Sequence, residues 1–293
     1  MKKLASILIS LLLVVSMIAG ACADTFMGDD NGIGPVTVTL TVEDGKITDA
    51  VVTGEKETPG FGYEPIYEGT YAKQFGEISS IYKDGDKLCR DAKDPITCGM
   101  AMEEFVPENY WKENPEAGVF IMGAGGSCIS MCSYYMRNSG KGNDPAKIVV
   151  CNRSLPRLEE CEKINNEFYP NTIPAEYYLT PEPGQNDVQM EKMGKGSLVI
   201  NATGLGKDRP GSPLTDAALF PKNALVWELN YRGERLFMHQ AEAQSESRGV
   251  QVIDGWMYFI YGWTQVIADV FHTEILGERL KEMDRIAAKF NKR

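Results

Sequence analysis

The stretch VFIMGAGGSCIS, residues 119–130, is an apolar run that is interrupted by glycines and then resumes. This pattern predicts a buried strand that ends at Met122 and turns at once into a helix beginning near Gly126. Gly123 permits the tight turn, and Gly125 leaves room for an anion to approach the backbone. Because the free N–H groups at the helix start would face that anion, the stretch predicts a phosphate-binding turn. A purely structural turn is the alternative.

Strands and helices alternate in the chain after this turn. Short apolar strands are predicted at KIVVCN, SLVINAT and ALVWEL, and helices over 126–138, 155–168, 234–244, 256–272 and 273–290. A further helix is predicted over 96–105, and the polar, proline-rich residues 169–187 are predicted to be loop. Such alternation predicts an α/β fold of the Rossmann type, a parallel sheet flanked by helices, within residues 67–293.

The end of the second predicted strand indicates which dinucleotide would bind. A site for NAD normally has an acidic residue there, which bonds the ribose 2′-hydroxyl. This chain instead has Asn152, Arg153 and Ser154, with Arg157 one helical turn later. Because a guanidinium pairs well with a phosphate, the sequence favours NADP. The alternative is that the two arginines are an ordinary surface pair.

The first 23 residues have the pattern of a secretory signal. Two lysines precede an apolar stretch from Leu4 to Ile18, and small residues follow. A-x-A sites precede both Cys22 and Asp24. Cleavage, lipidation of Cys22 and retention as a membrane anchor remain open, so the protein is expected in the cell envelope or exported if the signal is used, and otherwise in the cytoplasm.

The composition of the chain indicates which classes of partner it binds. Its 293 residues carry a net charge of −11, which argues against a nucleic-acid surface and favours a small-molecule substrate. Seven cysteines form no CxxC pair, so we interpret them as small core residues, not as a zinc site or a disulfide framework. This usage is more typical of a cytosolic protein and conflicts with the predicted signal.

A small β element is predicted before the Rossmann domain, within residues 28–66. Residues 35–53 alternate apolar and polar side chains with a period of two, which is typical of strands. Asp44 and Gly45 supply a hairpin turn between them. The element is too short to hold a core of its own.

Four motifs of the predicted Rossmann domain resemble the nucleotide-binding domain of shikimate dehydrogenases. They are VFIMGAGGS, IVVCNRS, LVINATGLG and DGWMYFIYGWTQ, and they occur in that family's order over about 118–275. The resemblance implies an NADP-dependent interconversion of a hydroxyl and a carbonyl on a small acid. It places the cofactor against Gly123, Ala124, Gly125, Gly126, Ser127, Asn152, Arg153, Ser154, Arg157, Asn201, Ala202, Thr203 and Gly255.

The substrate half of that family is not matched. The family carries a catalytic lysine and aspartate in an N-terminal domain, and its late helix carries a glutamine. Asp94 in DPITCG is the candidate for the aspartate, the neighbouring Lys93 is a second candidate proton donor, and Tyr261 aligns with the glutamine. Because this chain alone offers little to close a dry pocket, a homodimer is a further expectation.

The segment 34–62 resembles a different family, the opening of the FMN-binding domain of exported flavoproteins. That domain ends in a Ser/Thr-Gly-Ala-Thr motif, and this sequence contains none. The sequence is therefore compatible with three functions. The first is an NADP-dependent oxidoreductase, the second is a non-catalytic NADP-binding module, and the third is an exported FMN-binding electron carrier. Membrane association through the N-terminal segment is a separate expectation.

Overall fold

The computed structural model describes residues 24–31, 35–43, 46–53, 67–85, 87–207 and 209–290, with side-chain surroundings from residue 69 onward. The predicted signal segment, residues 1–23, lies outside this part. Contacts between Cα atoms divide the chain into two units, residues 1–67 with 83–89 and residues 68–82 with 90–293. Within the described residues, no helix is both long enough and apolar enough to cross a bilayer.

The N-terminal β element is a three-stranded antiparallel sheet. Its strands are β1 (Asp24–Asn31), β2 (Pro35–Glu43) and β3 (Lys46–Thr53), in the order β1–β2–β3. Glu43 pairs with Lys46, which confirms the predicted hairpin. The sequence did not predict β1, because its acidic residues and glycine interrupt the alternation that marks a strand.

Short elements follow before the central sheet. They are β4 (Tyr67–Glu68), α1 (Thr70–Phe75), β5 (Ser80–Asp84), β6 (Lys87–Asp91), α2 (Asp94–Glu103) and α3 (Tyr110–Glu113). Helix α2 begins two residues earlier than predicted. Pro95 lies in the first turn of this helix. An N–H group there would have no partner within the helix, so proline loses no hydrogen bond, and its fixed φ suits the helix.

The second unit contains a six-stranded parallel sheet. Its strands are β7 (Val119–Met122), β8 (Ile148–Asn152), β9 (Ala175–Leu179), β10 (Leu198–Asn201), β11 (Leu225–Glu228) and β12 (Gln251–Ile253). They pair in the order β12–β11–β10–β7–β8–β9, which confirms the predicted Rossmann-type fold. The strand order reverses between β7 and β10, where doubly wound sheets bind ligands.

Helices cover both faces of this sheet. They are α4 (Gly126–Arg137), α5 (Leu155–Phe168), α6 (Pro183–Met190), α7 (Leu236–Glu242), α8 (Ser245–Arg248), α9 (Trp256–Phe271) and α10 (Gly277–Ala288). The four side chains of β7 are fully buried, two in each of the two hydrophobic clusters. Burial on both faces explains why this strand is an unbroken apolar run in the sequence.

The prediction of loop over 169–187 is wrong. This stretch contains β9 and the start of α6. The edge strand β9 is only half-buried and carries Glu176, so its apolar signal is weak. Helix α6 begins in a capping box between Glu182 and Gln185, and Pro183 follows the cap. Strand β12 was also not predicted, because three residues are too few for a period to show.

Candidate functional site

The glycine turn after β7 brings three strand ends together. Gly123 has φ of 105°, and a Cβ atom there would lie 2.6 Å from the carbonyl oxygen of Ala202. Its N–H donates to the carbonyl of Cys151 at the end of β8. Only glycine suits both this backbone conformation and this approach, so the ends of β7, β8 and β10 meet at one point.

A cavity of about 480 Å³, here called the arginine cavity, opens at these strand ends. Nine of the thirteen predicted cofactor-binding residues line it: Gly123, Ala124, Gly125, Asn152, Arg153, Ser154, Arg157, Ala202 and Thr203. Asn152 also donates from Nδ2 to the Ser154 carbonyl at 2.9 Å, which shapes the loop after β8. These nine residues therefore lie together around one cavity, and their contact with a cofactor stays a prediction.

Three guanidinium groups belong to the arginine cavity. Arg153 and Arg157 follow β8, and Arg209 reaches the cavity from the loop after β10. Arg157 is partly neutralised by Glu160 on the same helix, at 3.0 Å and largely exposed. Arg209 could not be singled out from the sequence, because its loop has no fixed spacing from the glycine turn.

The space beside the start of α4 is open at Gly125 and filled by another side chain at Gly126. No atom beyond the neighbouring residues lies within 4 Å of the place where a Cβ would stand at Gly125. At Gly126 the Glu77 carboxyl fills that place, with oxygens 1.9 and 2.3 Å from the ideal Cβ position. Burial raises the pKa of Glu77, the Asp94 carboxylate raises it further, and Arg157 opposes both. Gly126 does not line the arginine cavity, and the Glu77 carboxyl lies beside it.

A second cavity, of about 490 Å³ and here called the aromatic cavity, shares Ala202 and Thr203 with the first. Tyr231, Tyr258, Phe259 and Trp263 supply its aromatic wall. Its polar wall includes Ser79, Asp94, Ser127, Lys207 and Asn230. Ser127 therefore lines this cavity and not the arginine cavity. The two cavities together follow the edge of the sheet where its order reverses.

Asp94 and Tyr258 form the acidic part of the aromatic cavity. Burial raises the pKa of Asp94, and a hydrogen bond with Tyr258 acts in the opposite sense. Burial together with the Asp94 charge raises the pKa of Tyr258 well above its usual range. The Tyr258 hydroxyl also lies 3.5 Å from Ser127 Oγ. At neutral pH Tyr258 is therefore a neutral donor beside a carboxyl group.

Lys93 and Tyr261, the other two predicted catalytic residues, do not line either cavity. The Lys93 ammonium pairs with Asp91 at 3.1 Å and with Asp269 at 2.9 Å. Burial lowers the pKa of Lys93, but these two hydrogen-bonded carboxylates outweigh burial and raise it. The Tyr261 hydroxyl donates to Glu104 instead. Tyr258, three residues earlier on the same helix, lines the aromatic cavity instead.

Asn201 is also corrected from a ligand contact to a positioning role. Its side chain is fully buried, and its Nδ2 donates to both Glu228 oxygens, at 3.1 and 2.9 Å. Its Oδ1 accepts from the Thr203 hydroxyl at 2.7 Å and from the Thr203 N–H at 3.1 Å. Asn201 therefore fixes the loop that lines both cavities.

Glu228 anchors the other side of this network. It is fully buried at the end of β11 and accepts from the Asn230 N–H at 2.9 Å. Burial raises its pKa to about 7, although its hydrogen bonds and Arg235 act in the opposite sense. Gly255, a predicted cofactor residue, packs against the Leu229 carbonyl at the start of α9 and does not line either cavity.

Several residues of these sites were not singled out from the sequence. They include Glu77, Arg209, Lys207, Ser79 and Tyr258. Only Tyr258 had a usable signal, because it lies three residues before Tyr261 on an aromatic helix. The others lie in segments without periodicity, and the fold alone brings them to the sheet edge.

Comparisons with known proteins agree with this architecture. No family model matches the chain. A shikimate dehydrogenase (NADP(+)) of Lactococcus lactis subsp. cremoris (strain MG1363) is 25% identical over 201 residues, which are 66% of this chain. The match spans 65% of the length of that relative. The resemblance of residues 34–62 to an FMN-binding domain gains no support.

Solved structures show the same fold. A quinate dehydrogenase from Corynebacterium glutamicum in complex with NAD has a TM-score of 0.58 at 17% identity, and the alignment covers 76% of this chain and 71% of that one. A shikimate dehydrogenase in complex with NADP+ has a TM-score of 0.55 at 18% identity, with 77% and 71% covered. The fold of this chain is therefore shikimate dehydrogenase-like.

Proposed function

We propose that this protein is an NADP-dependent oxidoreductase of the shikimate dehydrogenase type, which interconverts a hydroxyl and a carbonyl on a small acid. The observation that carries the proposal is the pair of connected cavities. One has a glycine turn and three guanidinium groups, and the other has Asp94 and Tyr258. Ala202 and Thr203 belong to both, so one extended ligand can occupy the two.

The arginine cavity fits the adenosine half of NADP. Gly125 leaves the backbone accessible to a pyrophosphate, and Arg153 and Arg209 supply cations for a 2′-phosphate. The strand end at Asn152 has no acid that would repel that phosphate. When bound, the cofactor supplies the hydride that the reaction needs. The names of the similar proteins, which include NAD and NADP+ complexes, support a dinucleotide of this class.

The aromatic cavity fits a substrate whose hydroxyl proton must be moved. Asp94 accepts that proton during oxidation, because its carboxyl lies on the cavity wall with a raised pKa. The Tyr258 hydroxyl orients the same oxygen, and Ser127 holds Tyr258. Lys207, with its ammonium 5.0 Å from the centre of the Tyr231 ring, offers a cation for the acid group.

Turnover by the full chain tests the proposal. The purified protein is mixed with NADPH or NADP and a panel of small cyclic hydroxy or keto acids, and absorbance of the reduced cofactor is followed. Cofactor-dependent turnover supports an oxidoreductase. Binding without turnover of any acid supports the non-catalytic NADP-binding module, and a visible flavin band supports the FMN-binding carrier. No binding of either kind contradicts all three.

The export signal, the membrane association and the homodimer remain predictions. A reporter fused after Arg293 would show on which side of the membrane the C-terminus lies. Mass measurement of the mature protein would distinguish cleavage, lipidation of Cys22 and retention of residues 1–23. Light scattering of the purified chain would give its oligomeric state.

A further inference from the structure

Three cysteines outside both cavities converge in the core between α4 and α5. Cys128 and Cys132 lie four residues apart and share one face of α4, and Cys161 faces them from α5. Their Sγ atoms all lie within 4.8 Å of one another, and none of the three side chains is exposed. The trio is therefore a preformed cluster of sulfur atoms away from water.

A buried amide borders the cluster. Asn165, one turn after Cys161, donates from Nδ2 to Cys161 Sγ at 3.6 Å and to the Tyr177 hydroxyl at 2.8 Å. Its side chain is 1% exposed, and its Oδ1 has no hydrogen-bond partner among the described residues. Amide donors of this kind orient and stabilise thiolate ligands in metal sites. The Asn165 amide beside the cluster would therefore stabilise a thiolate, which an apolar side chain at this place would not do.

The ligand set selects the chemistry of the occupant. Three sulfurs without an oxygen or nitrogen ligand prefer soft, thiophilic ions. With sulfur–ion bonds of about 2.3 Å, the sulfur atoms of a three-coordinate site lie about 3.5–4 Å apart, within the spacing of this cluster. Three thiolates around a monovalent or divalent ion would leave a net negative charge in an apolar core, which is costly. A trivalent ion leaves none.

We propose that Cys128, Cys132 and Cys161 form a three-coordinate site for a trivalent thiophilic ion of the arsenite class. In the binding step, three arsenic–oxygen bonds of As(OH)₃ break and three arsenic–sulfur bonds form. The three thiol protons leave with the hydroxyl groups as three water molecules, so no oxidant or reductant is consumed.

Arsenite titration of the reduced full chain tests the site. Binding is followed by near-ultraviolet absorbance of arsenic–sulfur bonds, by native mass spectrometry and by counting the thiols that remain reactive after unfolding. The titration is carried out on the folded protein and during refolding, so that slow entry into the core does not hide binding. We expect one arsenic per chain, a mass gain of one arsenic less three protons, and three protected thiols.

Variants identify the ligands. Cys132→Ser and Cys161→Ser should each lose stoichiometric binding, whereas Cys151→Ser, a matched buried cysteine outside the trio, and Cys89→Ser should keep it. Asn165→Leu should weaken binding by about 10-fold to 100-fold. Circular dichroism verifies that each variant is folded. Absence of binding in both titrations of the wild-type chain, or binding that survives loss of Cys132 and Cys161, would overturn the proposal.

Discussion

The Glu77 carboxyl lies against Gly126, at the first turn of the helix whose free N–H groups would hold a cofactor phosphate. The free N–H groups and the dipole of a helix start attract a phosphate, and the Glu77 carboxyl occupies the space beside them. Glu77 also faces Asp94, Arg157 and Glu160. The two anions would therefore compete for one helix terminus, and cofactor affinity should depend on the charge of Glu77.

Glu77→Gln should bind NADPH more tightly than the wild-type chain, by about fivefold, since one like charge at close range costs roughly 1 kcal/mol in water. Wild-type affinity should also rise as the pH falls through the raised pKa of Glu77, because the acid then loses its charge. The variant should show less of that rise. Fluorescence titrations at several pH values measure both effects, with Glu159→Gln as an exposed control that removes the same charge. Equal affinities would exclude the competition.

Asp94→Asn should lower the turnover number by about 100-fold or more, which is the usual effect of removing a proton acceptor. Affinity for NADPH should change far less than turnover, because Asp94 lies in the aromatic cavity and not in the arginine cavity. Tyr258→Phe should also impair turnover. Tyr261→Phe is the matched control, since its hydroxyl bonds Glu104 outside the cavities. Loss of turnover in Tyr261→Phe alone would reassign the donor to Tyr261.

Lys93→Met should destabilise the fold without changing cofactor binding. The substitution leaves Asp91 and Asp269 facing each other without their shared cation, at side chains that are 17% and 18% exposed. A loss of about 2 kcal/mol in the free energy of unfolding is expected at neutral pH, below the value for a fully buried pair. Urea unfolding measures this loss. A variant of unchanged stability that no longer turns over substrate would restore Lys93 as a candidate proton donor.

Glu228 should make the stability of the fold depend on pH. Its pKa is about 7 in the folded chain, against 4.5 for a glutamate exposed to water as in the unfolded chain. Folding therefore takes up a proton between about pH 4.5 and pH 7. The contribution of this group is therefore complete below about pH 4.5, declines as the pH rises to about 7, and is lost above it. Glu228→Gln should remove that decline. Urea unfolding from pH 5 to 8 tests this, and an unchanged slope in the variant would contradict it.

The central sheet could be predicted from the sequence, whereas its edges could not. Strands such as β7 are buried on both faces and appear as continuous apolar runs between turn residues. The edge strands β9 and β12 are partly exposed and short, so neither length nor apolarity marks them. A sequence pattern reveals a strand only where its side chains are buried, and few side chains of these two strands are buried.

The arginine cavity could also be predicted largely from sequence, because its residues lie at strand ends at fixed distances from the glycine turn. The aromatic cavity could be predicted only in part. The family resemblance singled out Asp94 and Ser127, whereas Ser79 and Lys207 come from segments far apart in the chain. Lys93 forms an ion pair with Asp269 in α9. The two residues are far apart in the chain, so no local sequence pattern indicates this contact. The position of Glu77 likewise depends on how the chain before α2 packs.

The most direct measurement of the central claim is the affinity of the chain for NADPH and for NADH, compared with that of Arg153→Ala. A guanidinium on the 2′-phosphate is worth roughly 1.5–3 kcal/mol, so the wild-type chain should bind NADPH at least about tenfold more tightly than NADH. Arg153→Ala should lose that preference and keep its NADH affinity. Equal affinity of the wild-type chain for both nucleotides, or an unchanged preference in Arg153→Ala, would contradict the assignment of the arginine cavity.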